Sequence, residues 1–334
     1  MPKVRNHRPS SKNRLPRIVC VVGPTSSGKT DLAIKIAQQM QGECINADAR
    51  QCYTEFAIGT GKPTGARGIY QGQRAFLVEG VPHYLMDFLA PTKVISVAEW
   101  KTMALTAIKG ITKRGHLPIV VGGTGLYVKA LVDNYSFPMV EPKPQLRAAF
   151  EQKPLSELVA LLLKLDPAAA EAVDLKNPRR VIRALEVSTF TGRPFTEQRT
   201  IGKPVVDAFQ VGIVFSRQEL FHRIDAEIEG MIERGWIDEI REIVRKGIPQ
   251  DAPAMTSIGY RQLLLYIKGE KTLDKAIEDC KKAVHDYAKR QETWYKRDPR
   301  IHWAHSAKDA IKMTREWLAD GKEEEKTVRL PAPV

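Results

Sequence analysis

The chain has 334 residues and only four cysteines, Cys20, Cys44, Cys52 and Cys280, no two of which form a CxxC pair. Neither a disulfide framework nor a zinc site follows from that spacing, so all four thiols are expected to be reduced and structural. No stretch approaches the roughly 18 to 20 continuous apolar residues of a membrane helix, and the N-terminus lacks the apolar core of a secretory signal. A soluble protein with a cytoplasmic address is therefore expected. Acidic residues are in deficit, 39 Asp and Glu against 52 Lys and Arg, for a formal charge of +13. That balance favours a polyanionic partner such as nucleic acid, or an anionic membrane surface, without choosing between them. Internal repeats are absent, while 43% apolar residues can fill a sizeable core.

Residues 1–16, "MPKVRNHRPSSKNRLP", hold three prolines, several basic residues and no acid, as expected of a basic flexible tail able to touch phosphates. From Arg17 onward short β-rich runs alternate with helical stretches: "RIVCVV", a helix from Lys29, "GECINAD" and "HLPIVVGGTG". The alternation predicts an α/β fold with a parallel sheet and crossover helices. Prolines around "YSFPMVEPKPQLR" break the pattern. Beyond them Leu155, Leu158, Leu161, Leu162 and Leu165 share one helical face, which predicts a helical insertion. "FQVGIVFS" at 209–216 returns to strand, helices follow to about residue 297, and "DGKEEEKTVRLPAPV" resembles a solvated tail. The expected division is a core of 17–137 and 206–305, an insertion of 138–205, and a C-terminal helix and tail of 306–334.

"GPTSSGKT", residues 23–30, fits the phosphate-binding pattern G-x-x-x-x-G-K-[ST] between a strand and a helix. Gly23 and Gly28 permit backbone shapes that aim N–H groups inward, and the helix that follows adds its positive end. Lys29 can neutralise oxygens between two phosphoryl groups, and the Thr30 hydroxyl can ligate Mg²⁺. The pattern does not name the ligand. An ATPase usually offers an apolar strand ending in Asp, but "PIVV" runs into Gly122, Gly123 and Thr124. A diphosphate other than ATP is permitted.

Ligands of parallel sheets gather beyond the carboxyl ends of the strands, which places Asp48 and Thr124 near Lys29. Asp48 can be a general base, or else an outer ligand of Mg²⁺ acting through a bound water, or a helix cap. Thr124 can hydrogen-bond a substrate or cap the next helix. Spacing leaves both pairs open.

In order along the chain, "GPTSSGKT", "INADARQCY", "IGTGKPT", "VPHYLMDF", "VVGGTGLYVKAL", "NPRRVIRALEV", "TGRPF", "SIGYRQ" and "YAKRQETWYKRDPRIHW" resemble the blocks of the tRNA dimethylallyltransferases, over roughly residues 17–303. The resemblance implies a P-loop NTPase-like, kinase-like sheet flanked by helices, with an α-helical insertion domain for tRNA. It implies transfer of a dimethylallyl group from dimethylallyl diphosphate to the exocyclic amine of the adenosine 3′ to the anticodon, with Mg²⁺. The diphosphate would occupy Gly23 to Thr30, including Thr25, Ser26, Ser27, Gly28 and Lys29, with Arg223 as a further diphosphate partner. Asp48 matches the base and Thr124 the residue meeting the target adenosine. Ala49, Arg50, Gln51, Arg147, the segment Asn177, Pro178, Arg179, Arg180 and Val181, and Lys289, Arg290, Gln291 and Trp294 fall where the family touches tRNA. Three positions depart from the family pattern: Ala49 replaces a serine, Tyr84 a histidine, and Glu227 a basic residue.

Rival readings are a small-molecule P-loop kinase, an adenylate isopentenyltransferase acting on free nucleotide, and a non-catalytic RNA-binding protein. The missing Asp after "PIVV" opposes the first, the basic blocks oppose the second, and the third has no use for an intact loop together with Asp48. One chain carries every part named, so a monomer is expected.

Overall fold

The computed structural model describes residues 15–138, 140, 143–198 and 200–327, with side chains to residue 320. All but the last two residues of the basic N-terminal segment, and the final seven of the chain, lie outside the described residues. The described residues form two units, one up to residue 132 and again from 205 onward, and a smaller one within 133–204.

The larger unit is built on an eight-stranded sheet of order β10-β9-β1-β6-β2-β5-β4-β3. Its strands are β1 (Arg17–Val21), β2 (Gly42–Asn46), β3 (Ala66–Tyr70), β4 (Gln73–Val78), β5 (Val81–Tyr84), β6 (Leu117–Val121), β9 (Asp207–Ile213) and β10 (Ile301–Ala304). The six strands from β10 to β5 pair in parallel. β3 and β4 add an antiparallel edge that was not expected from the sequence. Neither carries a long apolar run: β3 is mostly exposed, and β4 buries only Ala75, Phe76 and Val78.

The central strands are apolar on both faces because helices cover both, as parallel sheets require. Ile18, Cys20, Val22, Ile45 and Val120 turn to one side, against Trp100, Ala104, Ile108 and Ile111 of α2 (Val97–Lys113) and against α3 (Gly125–Val132). Val19, Val21, Cys44, Ile119 and Val121 turn to the other, against Leu32, Ala33 and Ile36 of α1 (Lys29–Met40) and Ala310 and Ile311 of α12 (Ala307–Thr327). Each buried Val, Leu or Ile side chain among them contributes about 1.5 to 3 kcal/mol. α12 carries "DGKEEEKT" as helix to Thr327, beyond the point where the sequence reads as tail. A third cluster joins Cys52, Tyr53 and Phe56 to α8 (Arg217–Glu233), α9 (Trp236–Arg245), α10 (Tyr260–Ile267) and α11 (Leu273–Tyr295).

All four cysteines are buried and unpaired. Burial pushes the thiols of Cys20, Cys52 and Cys280 up to about 12, so they stay protonated and unreactive. The family departure at Tyr84 is absorbed inside the fold. Its hydroxyl donates to buried Glu43 (2.6 Å), which also receives Arg114 and meets His116.

The smaller unit packs α4 (Pro144–Glu151), α5 (Leu155–Leu165), α6 (Ala169–Ala172) and α7 (Pro178–Thr191) around Leu158, Leu162, Val181 and Leu185. It begins earlier than the proline-rich stretch suggests, because β7 (Tyr135–Ser136) pairs with β8 (Thr200–Ile201) and draws residues 133–137 into it. Leu165, expected on the apolar face of α5, is 43% exposed at the helix end.

His83 on β5 is fully buried, its Nδ1 3.0 Å from the Val81 carbonyl, and burial lowers its pKa to about 4. The folded state binds this proton more weakly than the unfolded chain, so stability is complete above the ordinary value near 6.5 and is lost as pH falls toward 4. We expect the chain to lose about 2 kcal/mol through His83 between about pH 7 and pH 5, and His83→Phe to remove that part of the acid dependence. Urea titrations at the two pH values measure both; equal slopes of stability against pH in the two proteins would refute it.

Candidate active site

Register positions the site. β6 lies between β1 and β2, with Val121 opposite both Val21 and Asn46. Three strands thus end level, and their extensions run side by side: Val22 and Gly23 into the phosphate loop, Gly122 to Thr124 in the middle, Ala47 and Asp48 beyond. The ladder continues past the strands, with Ala47 N–H donating to the Val121 carbonyl (2.7 Å) and Thr124 N–H to the Ala47 carbonyl (3.1 Å). A Cβ on Gly122 would stand 2.2 Å from the Ala47 carbonyl carbon, so only glycine allows this approach.

The loop has the shape its glycines suggest. Gly23 (φ +149°), Ser26 (φ +58°) and Gly28 (φ +74°) all lie in the positive-φ region. Gly28 is the N-cap of α1 and offers no side-chain acceptor, which leaves the first turn to an anion. Ser27 is buried, its hydroxyl donating to the Pro24 carbonyl (2.8 Å); its side chain is turned into the loop rather than toward a ligand. Lys29 Nζ donates to the same carbonyl (2.9 Å). Burial lowers the Lys29 pKa, and Asp48 opposes that shift. Arg223, on α8, reaches the loop from outside. Its Nε donates to the Ser26 carbonyl (2.9 Å), and its guanidinium lies 4.7 Å from the Phe215 ring centre.

Asp48 stands at the end of β2, its turn held by Asn46, whose Oδ1 accepts from Asp48 N–H (3.0 Å) and whose Nδ2 donates to the Asp48 and Leu85 carbonyls. One carboxylate oxygen accepts from Arg50 N–H (2.8 Å). The other, with Lys29 Cε, flanks Gly123: a Cβ there would be 3.5 Å from Asp48 Oδ2 and 3.6 Å from Lys29 Cε. Thr124 Oγ1 accepts from Ala49 N–H (3.0 Å), so its proton is directed to another acceptor. That bond uses the Ala49 backbone, and a serine hydroxyl is not needed for it.

Several residues expected on the RNA side are engaged within the chain. Gln291 is buried, with its carbonyl accepting from Thr25 N–H (2.9 Å) and its amide donating to the Gly123 carbonyl (2.8 Å). Its side chain therefore faces inward. The indole edge of Trp294 crosses Gly125 so closely that a Cβ there would be 2.2 Å from Nε1. Arg50 holds the Pro253 carbonyl and Gln51 those of Thr60 and Gly61. Lys289 and Arg290 are exposed on α11. Glu227 pairs with Arg234 (2.7 Å). Sequence reading overlooked Asn46, although it lies inside a quoted block; a polar residue just before a strand-end carboxylate was the available signal.

In the smaller unit Asn177 caps α7 through Arg180 N–H (3.4 Å), Pro178 opens the helix, and Arg179 and Arg180 are exposed. Val181 has no exposure and belongs to the core, so its side chain cannot be a contact. Arg147 forms a bidentate pair with Glu186, Nε and Nη2 each at 2.9 Å. Burial alone would raise the Glu186 carboxyl, but Arg147, the Lys143 N–H and Arg183 hold it down at about 2.

A family model described as IPP transferase matches residues 51–298, and one described as isopentenyl transferase matches residues 16–83. The chain belongs to the IPP transferase family. Within it, the chain is 40% identical over 288 residues to a protein of Roseiflexus named tRNA dimethylallyltransferase, covering 85% of this chain and 91% of that one. Among solved IPP transferase structures, the full-length tRNA isopentenylpyrophosphate transferase of Bacillus halodurans aligns with a TM-score of 0.65 at 32% identity, covering 94% of this chain and 99% of that one. A eukaryotic dimethylallyltransferase described as acting on tRNA aligns with a TM-score of 0.74 at 25% identity, covering 91% and 80%. The P-loop NTPase-like fold of this IPP transferase thus agrees with what its sequence blocks imply.

Arg147→Ala should destabilise residues 133–204 by about 2 kcal/mol, less than the 3 to 5 typical of breaking a buried pair, because Arg183 and the Lys143 N–H remain on Glu186. Arg147→Lys should recover little, since an ammonium cannot make the bidentate pair. Hydrogen exchange over 143–198 reads this directly; unaltered protection in Arg147→Ala would count against it.

Proposed function

We propose that the chain transfers a dimethylallyl group from dimethylallyl diphosphate to the exocyclic N6 amine of the adenosine 3′ to the anticodon in tRNA, releasing diphosphate. The observation carrying this reading is the pairing of Lys29 and Asp48 around Gly123: a cation suited to a leaving diphosphate and a carboxylate suited to an amine proton stand one side chain apart. A kinase reading lacks its carboxylate at the end of β6, where Gly122 packs on the Ala47 backbone. The names of the relatives point the same way.

An adenine amine is a weak nucleophile because its lone pair is delocalised into the ring, so it needs a carbon bearing a good leaving group. As the allylic C–O bond breaks, negative charge grows on the diphosphate. The loop N–H groups of Ser26 to Thr30, with Lys29 and Arg223, would receive it, each such donor being worth about 2.7 to 4 kcal/mol of barrier. Asp48 takes the amine proton as the C–N bond forms, and Thr124 donates its hydroxyl proton to orient the base. Arg179, Arg180, Lys289 and Arg290, exposed on a chain of charge +13, would hold tRNA phosphates.

Among the described residues no cluster of three His, Cys, Asp or Glu could hold a metal alone. Thr30, beside a diphosphate, fits the sparse protein ligation typical of Mg²⁺. When bound there, Mg²⁺ would neutralise charge on the leaving diphosphate. No helix among the described residues is long and apolar enough to cross a membrane. A cytoplasmic monomer is the form we propose.

Purified protein with Mg²⁺ and labelled dimethylallyl diphosphate should label unmodified tRNA and leave AMP unlabelled; label in AMP alone would overturn the proposal. Asp48→Ala should reduce transfer by about 10² to 10⁴ while tRNA binding is kept.

A further inference from the structure

Gln291 lies on α11, far along the chain from both substrate half-sites, yet it is the residue that ties them together. Its side chain is 5% exposed and bridges the crest of the phosphate loop to the Gly123 carbonyl. The orientation of its amide is fixed by its partners, because a backbone N–H can only donate and a carbonyl can only accept. Replacing either bond would leave a buried polar group unpaired, which anchors both strand-end segments to one side chain. The fit around it is close: a Cβ on Gly123 would stand 2.5 Å from Gln291 Nε2. Tyr295, one helical turn further along α11, donates to the Gly122 carbonyl (3.3 Å) and steadies the same segment.

We infer that Gln291 is a positioning residue that locks the phosphate loop to the Gly123–Thr124 turn, and so fixes the separation between the leaving diphosphate and the attacking amine. The inference rests on the donor and acceptor assignments proposed above. It differs from the surface role that the family blocks imply for this position, in which Gln291 would contact tRNA directly. A positioning residue touches neither substrate. Its loss leaves each half-site able to bind and spoils only their alignment, to which reaction rate is acutely sensitive.

Gln291→Met keeps the volume and removes both hydrogen bonds. We expect kcat for transfer to fall at least tenfold, with the Kd for tRNA and the Kd for inorganic diphosphate each within threefold of the parent. Amide exchange in residues 23–30 should accelerate at least tenfold while the melting temperature falls by no more than a few degrees. A raised Kd for tRNA with unchanged kcat would make Gln291 an RNA contact and overturn the inference, as would unchanged exchange in residues 23–30. Failure of the parent protein to label tRNA would instead sink the proposed reaction, and the exchange measurement would still decide the role of Gln291.

Discussion

The level ending of β1, β6 and β2 is the constraint on which the site depends. With Val121 opposite both Val21 and Asn46, the residues leaving these strands have no freedom but to run side by side. A slip of one residue would turn Asp48 to the other face of the sheet. The approach of Gly122 to the Ala47 backbone makes that register unforgiving, since any Cβ would force the two strand ends apart. The chemistry is therefore placed by ladder hydrogen bonds more than by loops, and ladders in a sheet covered on both faces are rigid.

Rigidity matters because the two working groups oppose each other. An ammonium drawn out of water loses affinity for its proton, and Lys29 shows that fall; Asp48 nearby restores part of it. If the pair were in direct contact, the carboxylate would be neutralised as a base and the lysine as a diphosphate partner. Gly123 stands between them, with Asp48 Oδ2 and Lys29 Cε both within contact distance of its missing side chain. The absence of a side chain at Gly123 keeps that space between carboxylate and ammonium open.

Much of this was legible in the sequence, for reasons that can be named. The loop, Asp48 and Thr124 follow apolar runs, and strand ends are where a parallel sheet exposes its ligands. The helical insertion was visible in the spacing of Leu155 to Leu162. The hairpin of β3 and β4 was not, because β3 is mostly exposed and the four-residue apolar run of β4, Ala75 to Val78, is too short to tell a strand from a buried helix. The start of the smaller unit was obscured by a two-residue ladder too short to read, Tyr135–Ser136 on Thr200–Ile201.

Polar residues turned inward were also not legible. Gln291, Glu186 and Glu43 all look like helix or strand surface in sequence, where charged and amide side chains are mostly exposed. Each is instead buried, and each joins segments distant in the chain: Gln291 the phosphate loop and Gly123, Glu186 Arg147 and Arg183, Glu43 Arg114 and Tyr84. A buried polar group needs all its partners at once, so its presence carries information about three-dimensional neighbours that no local pattern contains. The same logic explains why two of the departures from the family pattern are tolerated. Tyr84 enters the Glu43 network with a hydroxyl the network can use, and Ala49 meets Thr124 through an N–H that every residue but proline possesses. A substitution leaves the site intact when the bond it must keep belongs to the backbone or to a partner already satisfied.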